Sequence, residues 1–166
     1  MLWEFQTASL IAATLTTGLS AGLYYGFACA VMPGLARAED RTFVETMQRI
    51  NTAIVNGWFM LLFLGSLVLG AAAAALQLPG AAWASPLPWT VAALVLYVAV
   101  LSVTARVNIP LNNALDEGGL PGSARELAAL RAHFEASWVR WNLIRAVLNT
   151  AAFGCLAWAL VRQGHG

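Results

Sequence analysis

The chain has 166 residues, 60% hydrophobic and only 10% charged, with a formal net charge of +1 and a mean hydropathy of +0.69. That balance excludes a water-soluble globular domain and places the chain among integral membrane proteins, as one domain over residues 1–166. Nucleic acid is excluded as a partner too, because no basic block is present to neutralise phosphates.

All the basic side chains are arginine. With so much alanine, this composition points to a GC-rich bacterial genome and so to an inner cell membrane. Cys29 and Cys155 both fall in apolar runs and read as small buried hydrophobes, not as a disulfide. His133 and His165 are too few for a usual metal site, so no metal is expected.

The first span covers about residues 5–33. At about 1.5 Å per residue it exceeds the roughly 30 Å hydrocarbon core. Glu4 and the absence of a basic flank argue against a signal peptide. Gly18, Gly22 and Gly26 recur every four residues, a stripe where another helix can come close, either within the chain or in a homo-oligomer. Pro33-Gly34 is expected to end the helix. Residues 38–56 then read as an amphipathic helix with a capping box at Thr42 and Glu45. Phe43, Met47, Ile50 and Ile54 take one face, Arg41, Glu45, Gln48 and Arg49 the other, and Asn51 flanks the apolar side.

The second and third spans cover about 58–77 and 89–108, joined by a proline-containing loop. Pro110 is expected to stop the third span and push Ile109 towards an extended conformation. Ser123 and Glu126 form another capping box, starting a helix that runs to about Val161 with its membrane part over about 143–161. On it Leu127, Leu130, Phe134, Trp138, Trp141 and Arg145 share about a 100° arc, with Asn142 and Asn149 at its edge and His133 facing away.

The expected fold is therefore all-α, an integral membrane four-helix bundle with two amphipathic helical segments at one end. Arginines crowd both connections at that end. The positive-inside rule makes it cytoplasmic, with both termini outside.

Two polar clusters lie there: Asn108, Asn112 and Asn113 around Pro110, and Trp138, Trp141, Asn142 and Arg145. Two readings compete. In one, the tryptophans form an interfacial belt, Arg145 snorkels to headgroups, and the asparagines satisfy backbone freed by Pro110. In the other, the motif faces inward and lines a pocket, because it continues the apolar stripe of the last helix. Arg145 then needs an aqueous cavity or a carboxylate, with Asp116, Glu117 and Glu135 as candidates.

These segments also carry a resemblance. The run Val31-Met32-Pro33-Gly34-Leu35 is followed by Phe43 with Met47-Gln48-Arg49-Ile50-Asn51. Asn108-x-Pro110-x-Asn112 and Trp138-x-x-Trp141-Asn142-x-x-Arg145 come after. In that order they resemble the anthrone oxygenase-like family of small four-span membrane proteins.

The resemblance implies oxidation of an anthrone-like molecule by O2 without metal or flavin cofactor. A flat apolar phenolic, anthrone- or quinone-like molecule is then the expected ligand. Arg145, Asn142, Asn108 and Asn112 would hold the developing oxyanion, and Trp138, Trp141, Phe134 and Asn51 would contact the ligand. His133, Asp116 and Glu135 remain open as the base. The alternatives are a non-enzymatic binding or transport-accessory protein using the same pocket, and a purely structural role.

Overall fold

The computed structural model describes residues 1–80 and 85–164; His165 lies outside the described residues. Four helices are long and apolar enough to cross a membrane: α1 (Leu2–Leu35), α3 (Gly57–Gln77), α4 (Leu87–Glu117) and α5 (Ala124–Gly164). Between α1 and α3 lies the amphipathic α2 (Asp40–Ile54).

Each of α1 and α4 packs against both α3 and α5, so the four close into a ring, and α2 packs on α5 and the end of α4. The chain is thus an all-α membrane four-helix bundle.

Near the termini the core is built of small side chains: Ala13, Ala73, Ala93, Ala152 and Ala159 with Leu10 and Leu156. Without water to drive association, close backbone approach supplies the dispersion contacts. Gly18 serves the same end, since a Cβ there would sit 2.8 Å from the Phe153 ring; Gly22 and Gly26 meet nothing within 4 Å.

Large side chains fill the opposite, arginine-rich end. Phe43, Val44 and Met47 of α2 pack with Met32, Leu115, Leu127, Phe134 and Trp138. Arg131 pins this layer. It pairs with Asp40 at 3.0 Å and Glu135 at 2.7 Å. It also donates to the carbonyls of Ala36 and Ala38 and lies 4.5 Å over the Phe43 ring. Gln48, which the sequence pattern assigns to the wet face, instead donates to the carbonyls of Leu115 and Gly119 and ties α2 to the end of α4.

Several local expectations fail for identifiable reasons. Neither proline ends its helix. A π turn at Phe27–Val31 precedes Pro33, with Met32 N–H donating to Phe27 O. A second, at Thr104–Asn108, precedes Pro110, with Ile109 N–H donating to Thr104 O. Proline cannot donate and its ring clashes with the carbonyl four residues back; one wider turn relieves both, so the helix continues. Ile109 is accordingly helical, at φ −63° and ψ −49°.

The turn that follows α4 instead carries Gly119 at φ 58°, a left-handed conformation that favours glycine. The box at Thr42 is not used, because α2 begins after Glu39. The Ser123 box does form, with Glu126 N–H donating to Ser123 Oγ at 3.2 Å. Asn56 caps α3 by accepting from Phe59 N–H at 3.0 Å. Cys29 is exposed on the outer face of α1 and not buried; it and the half-buried Cys155 are free thiols.

Candidate functional site

The arginine-rich end encloses a cavity of about 380 Å³. Each of the five helices contributes to its wall. From α1 come Tyr24 and Phe27, from α2 Asn51, from α3 Phe59 and Phe63, from α4 Thr104, Asn108, Asn112 and Asp116, and from α5 Trp138, Asn142 and Arg145. Both π turns border it, through Phe27 and through Thr104 and Asn108. The extra backbone residue in each turn shifts the side-chain register, a common device where a helix serves a site.

Arg145 is 6% exposed. Of the two environments expected for it, a cavity or a carboxylate, it has the cavity: Glu135 is taken by Arg131, and Asp116 accepts from Asn51 Nδ2 at 3.2 Å. One Nη donates to Asn142 Oδ1 at 3.0 Å and the other makes a long contact of 3.4 Å to Thr104 Oγ1. The guanidinium lies between two rings, 4.6 Å from the Tyr24 centroid and 5.5 Å from that of Trp138. Cation–π attraction strengthens on desolvation, so these rings hold the charge where no anion does. Its Nε makes no hydrogen bond.

Asn108 is 1% exposed, and neither its Oδ1 nor its Nδ2 has a partner. An unpaired buried amide costs about 1–3 kcal/mol. Here both amide atoms of a residue in the cavity lining are unpaired while buried from solvent. Asn112 is half-buried and accepts from Trp138 Nε1 at 2.8 Å. Asn142 is engaged at both ends, donating to the Tyr24 carbonyl at 3.1 Å while accepting from Arg145. That places it as a residue that positions Arg145.

The remaining sequence-derived residues divide. Trp138 and Asn51 line the cavity. Phe134 stacks behind Trp138, 5.8 Å between centroids, without lining the cavity. Trp141 is also off the wall, with Arg140 5.7 Å from its ring. Of the three base candidates, only Asp116 lines the cavity; His133 is exposed on the far side of α5.

Tyr24, Phe27, Phe59, Phe63 and Thr104 escaped the sequence reading. A signal for Tyr24 existed. Thr14, Thr17, Ser20 and Tyr24 step along one face of α1 at helical spacing, and all four are buried. Among the described residues, no group of three or more His, Cys, Asp or Glu side chains gathers to hold a metal.

The chain is thus a small membrane bundle with a buried arginine lacking a carboxylate partner and one unpaired amide, that of Asn108, in the lining of an aromatic cavity. The family model described as anthrone oxygenase matches residues 59–155, more than half of the chain, and the chain belongs to that family. The match covers α3, α4 and most of α5, and so includes Asn108, Asn112, Trp138, Asn142 and Arg145. No curated protein and no solved structure matches the chain.

Proposed function

We propose that the protein is a membrane oxygenase that binds a flat, apolar phenolic, anthrone- or quinone-like molecule in this cavity and oxidises it with O2. Family membership supports the reaction class. The observation that supports the ligand is the presence of Arg145, without a carboxylate, and of the unpaired Asn108 amide in one aromatic cavity lining.

The chemistry asks little of the protein. An anthrone methylene lies between two aryl rings and is conjugated through them to a carbonyl, so loss of its proton gives a stabilised enolate-like anion. That anion passes an electron to O2. Recombination forms a carbon-bound peroxide, and loss of water leaves the second carbonyl. The balance is one substrate CH2 and one O2 giving one C=O and one H2O.

Three roles suffice. Phe59, Phe63 and Trp138 contact the rings; the two phenylalanines stack on one another, 5.3 Å between centroids, which fixes their place in the lining. Arg145 and Asn108, whose unpaired nitrogens are buried at the cavity lining, donate to the developing oxyanion once their side chains turn towards it, in a low-dielectric site. Asp116 takes the proton. Asn108 and Asp116 are eight residues apart on one helix, roughly 12 Å at 1.5 Å per residue. That suits a carbon acid and a carbonyl on opposite edges of one ring, with a contact at each end.

The crowding of arginines at the cavity end supports a cytoplasmic opening with both termini outside, in an inner cell membrane. Anthrone turnover under O2 by protein in liposomes tests the function, and it should yield the anthraquinone. Tight binding with no product would transfer the cavity to a non-enzymatic binding or transport-accessory role.

A further inference from the structure

The cavity mouth has two lips of unlike chemistry. On one, Val55 is 71% exposed, Met60 38% and Ile109 44%. On the other are the exposed polar residues Asn113 and Asp116. Val55 and Met60 bracket the corner between α2 and α3, and Ile109 and Asn113 lie one turn apart on α4. Since α3 and α4 are neighbours in the ring, the mouth opens sideways between them.

The axial route is closed by α2. Its Phe43, Val44 and Met47 are fully buried against α5 and the end of α4, and Gln48 fastens it there.

The mouth also has a depth. Trp58, 81% exposed, sits at the α2–α3 corner, and the exposed Arg106 sits about one turn from Ile109 on α4. Tryptophan and arginine with free outward faces mark the boundary between hydrocarbon and headgroups. Past that level α3 shows Leu61, Leu64 and Val68 to the outside, a lipid-facing stripe. The apolar lip therefore meets the bilayer, and the polar lip meets the headgroup layer.

We infer that the cavity is filled sideways from the interfacial layer of the bilayer, between α3 and α4 and over the apolar lip of Val55, Met60 and Ile109. Its ligand is an amphiphile, a flat apolar body with a hydrogen-bonding oxygen at the leading end. The oxygen rests on the function proposed for Arg145 and Asn108; the route rests on the mouth alone. A lipid-soluble aromatic is already concentrated at this level and never has to enter bulk water. It slides in past Phe59 and Phe63 while its oxygen moves towards the unpaired amide.

The route is tested without a ligand. In a background carrying Cys29→Ser and Cys155→Ala, Met60→Cys and Ile109→Cys are labelled with bimane in liposomes. A lipid spin-labelled near its headgroup should quench both positions more than aqueous iodide does, with the order reversed at an Arg125→Cys reference. Iodide quenching at 60 and 109 as strong as quenching by the lipid would overturn the proposal.

A kinetic arm uses 2-naphthol and Ile109→Trp. A plugged entrance slows association and dissociation together, each by about tenfold, and leaves Kd within about twofold. A changed Kd with unchanged dissociation, or rates equal to the unsubstituted protein's, would make Ile109 a wall residue and sink the portal. Failure of 2-naphthol to bind the unsubstituted protein would count against the proposed function, while the quenching result still decides the route.

Discussion

The two ends of the bundle use similar polar residues in opposite ways. Near the termini, Gln6 Nε2 donates to the Leu76 carbonyl at 2.7 Å, Thr90 Oγ1 donates to Gln77 Oε1 at 3.0 Å, and Gln163 reaches Gln6 at 3.5 Å. One residue or more from each of the four spanning helices takes part, and alanine-rich packing surrounds them. Gln77 Nε2 and Thr7 Oγ1 are left unpaired there, away from the cavity; at the arginine-rich end Asn108 and Arg145 keep unpaired groups in residues that line it. The first arrangement joins helices. The second withholds hydrogen bonds from the protein, which in a low-dielectric interior is costly unless another molecule makes them. Burial of a polar side chain in a membrane bundle is therefore not itself a sign of a site; the unmade bond beside a cavity is.

This contrast can be broken by substitution. The largest effect is expected at Arg145. Arg145→Met should lower anthrone turnover by about 10²–10³-fold, the scale for loss of an oxyanion donor. No carboxylate loses a partner, and only the Asn142 amide oxygen does, so the protein should stay folded in detergent with at most a small fall in thermal midpoint. Loss of folding along with activity would mean that Arg145 is a packing residue, like the glutamines at the other end.

Arg131→Met should do the reverse. It removes two ion pairs and two carbonyl contacts that are only partly buried, so a cost of about 2 kcal/mol is expected by denaturant titration. Ligand affinity per folded molecule should be retained, because Arg131 does not line the cavity. A smaller change is expected for Thr90→Val, about 0.6 kcal/mol of stability as for other interhelical bonds in membranes, with no change in 2-naphthol binding. A binding defect there would couple the two ends and blur the distinction between them.

Most of the scaffold was readable from the sequence, because length, hydropathy and arginine placement are coarse signals that tolerate local error. The stripe from Leu127 to Arg145 was readable too, since half of α5 lies beyond the apolar span and shows a true polar–apolar contrast. Inside the bilayer that contrast vanishes: a lipid-facing and a core-facing leucine are equally apolar, so the inward direction of Phe59, Phe63 and Phe27 left no trace. Pro33 and Pro110 misled because a proline reads as a stop unless a π turn absorbs it, and composition does not announce π turns. For Arg145 the rule for buried charge left a cavity or a carboxylate open, and the structure puts it in the cavity lining. Glu135 lies four residues from Arg131 on the same helix, the favoured spacing for a pair, and was claimed there. Two aromatic faces took the remaining role.

The measurement that bears most directly on the contrast is Asn108→Leu set beside Thr90→Val, each followed by thermal stability in detergent and by 2-naphthol binding in liposomes. If Asn108 is held open for a ligand, its replacement relieves an unpaired buried amide. Stability should then hold or rise by about 1 kcal/mol, while affinity falls by about tenfold. If Asn108→Leu instead destabilises the bundle as much as Thr90→Val or more, and binding is untouched, the amide is part of the packing and the cavity is not the site.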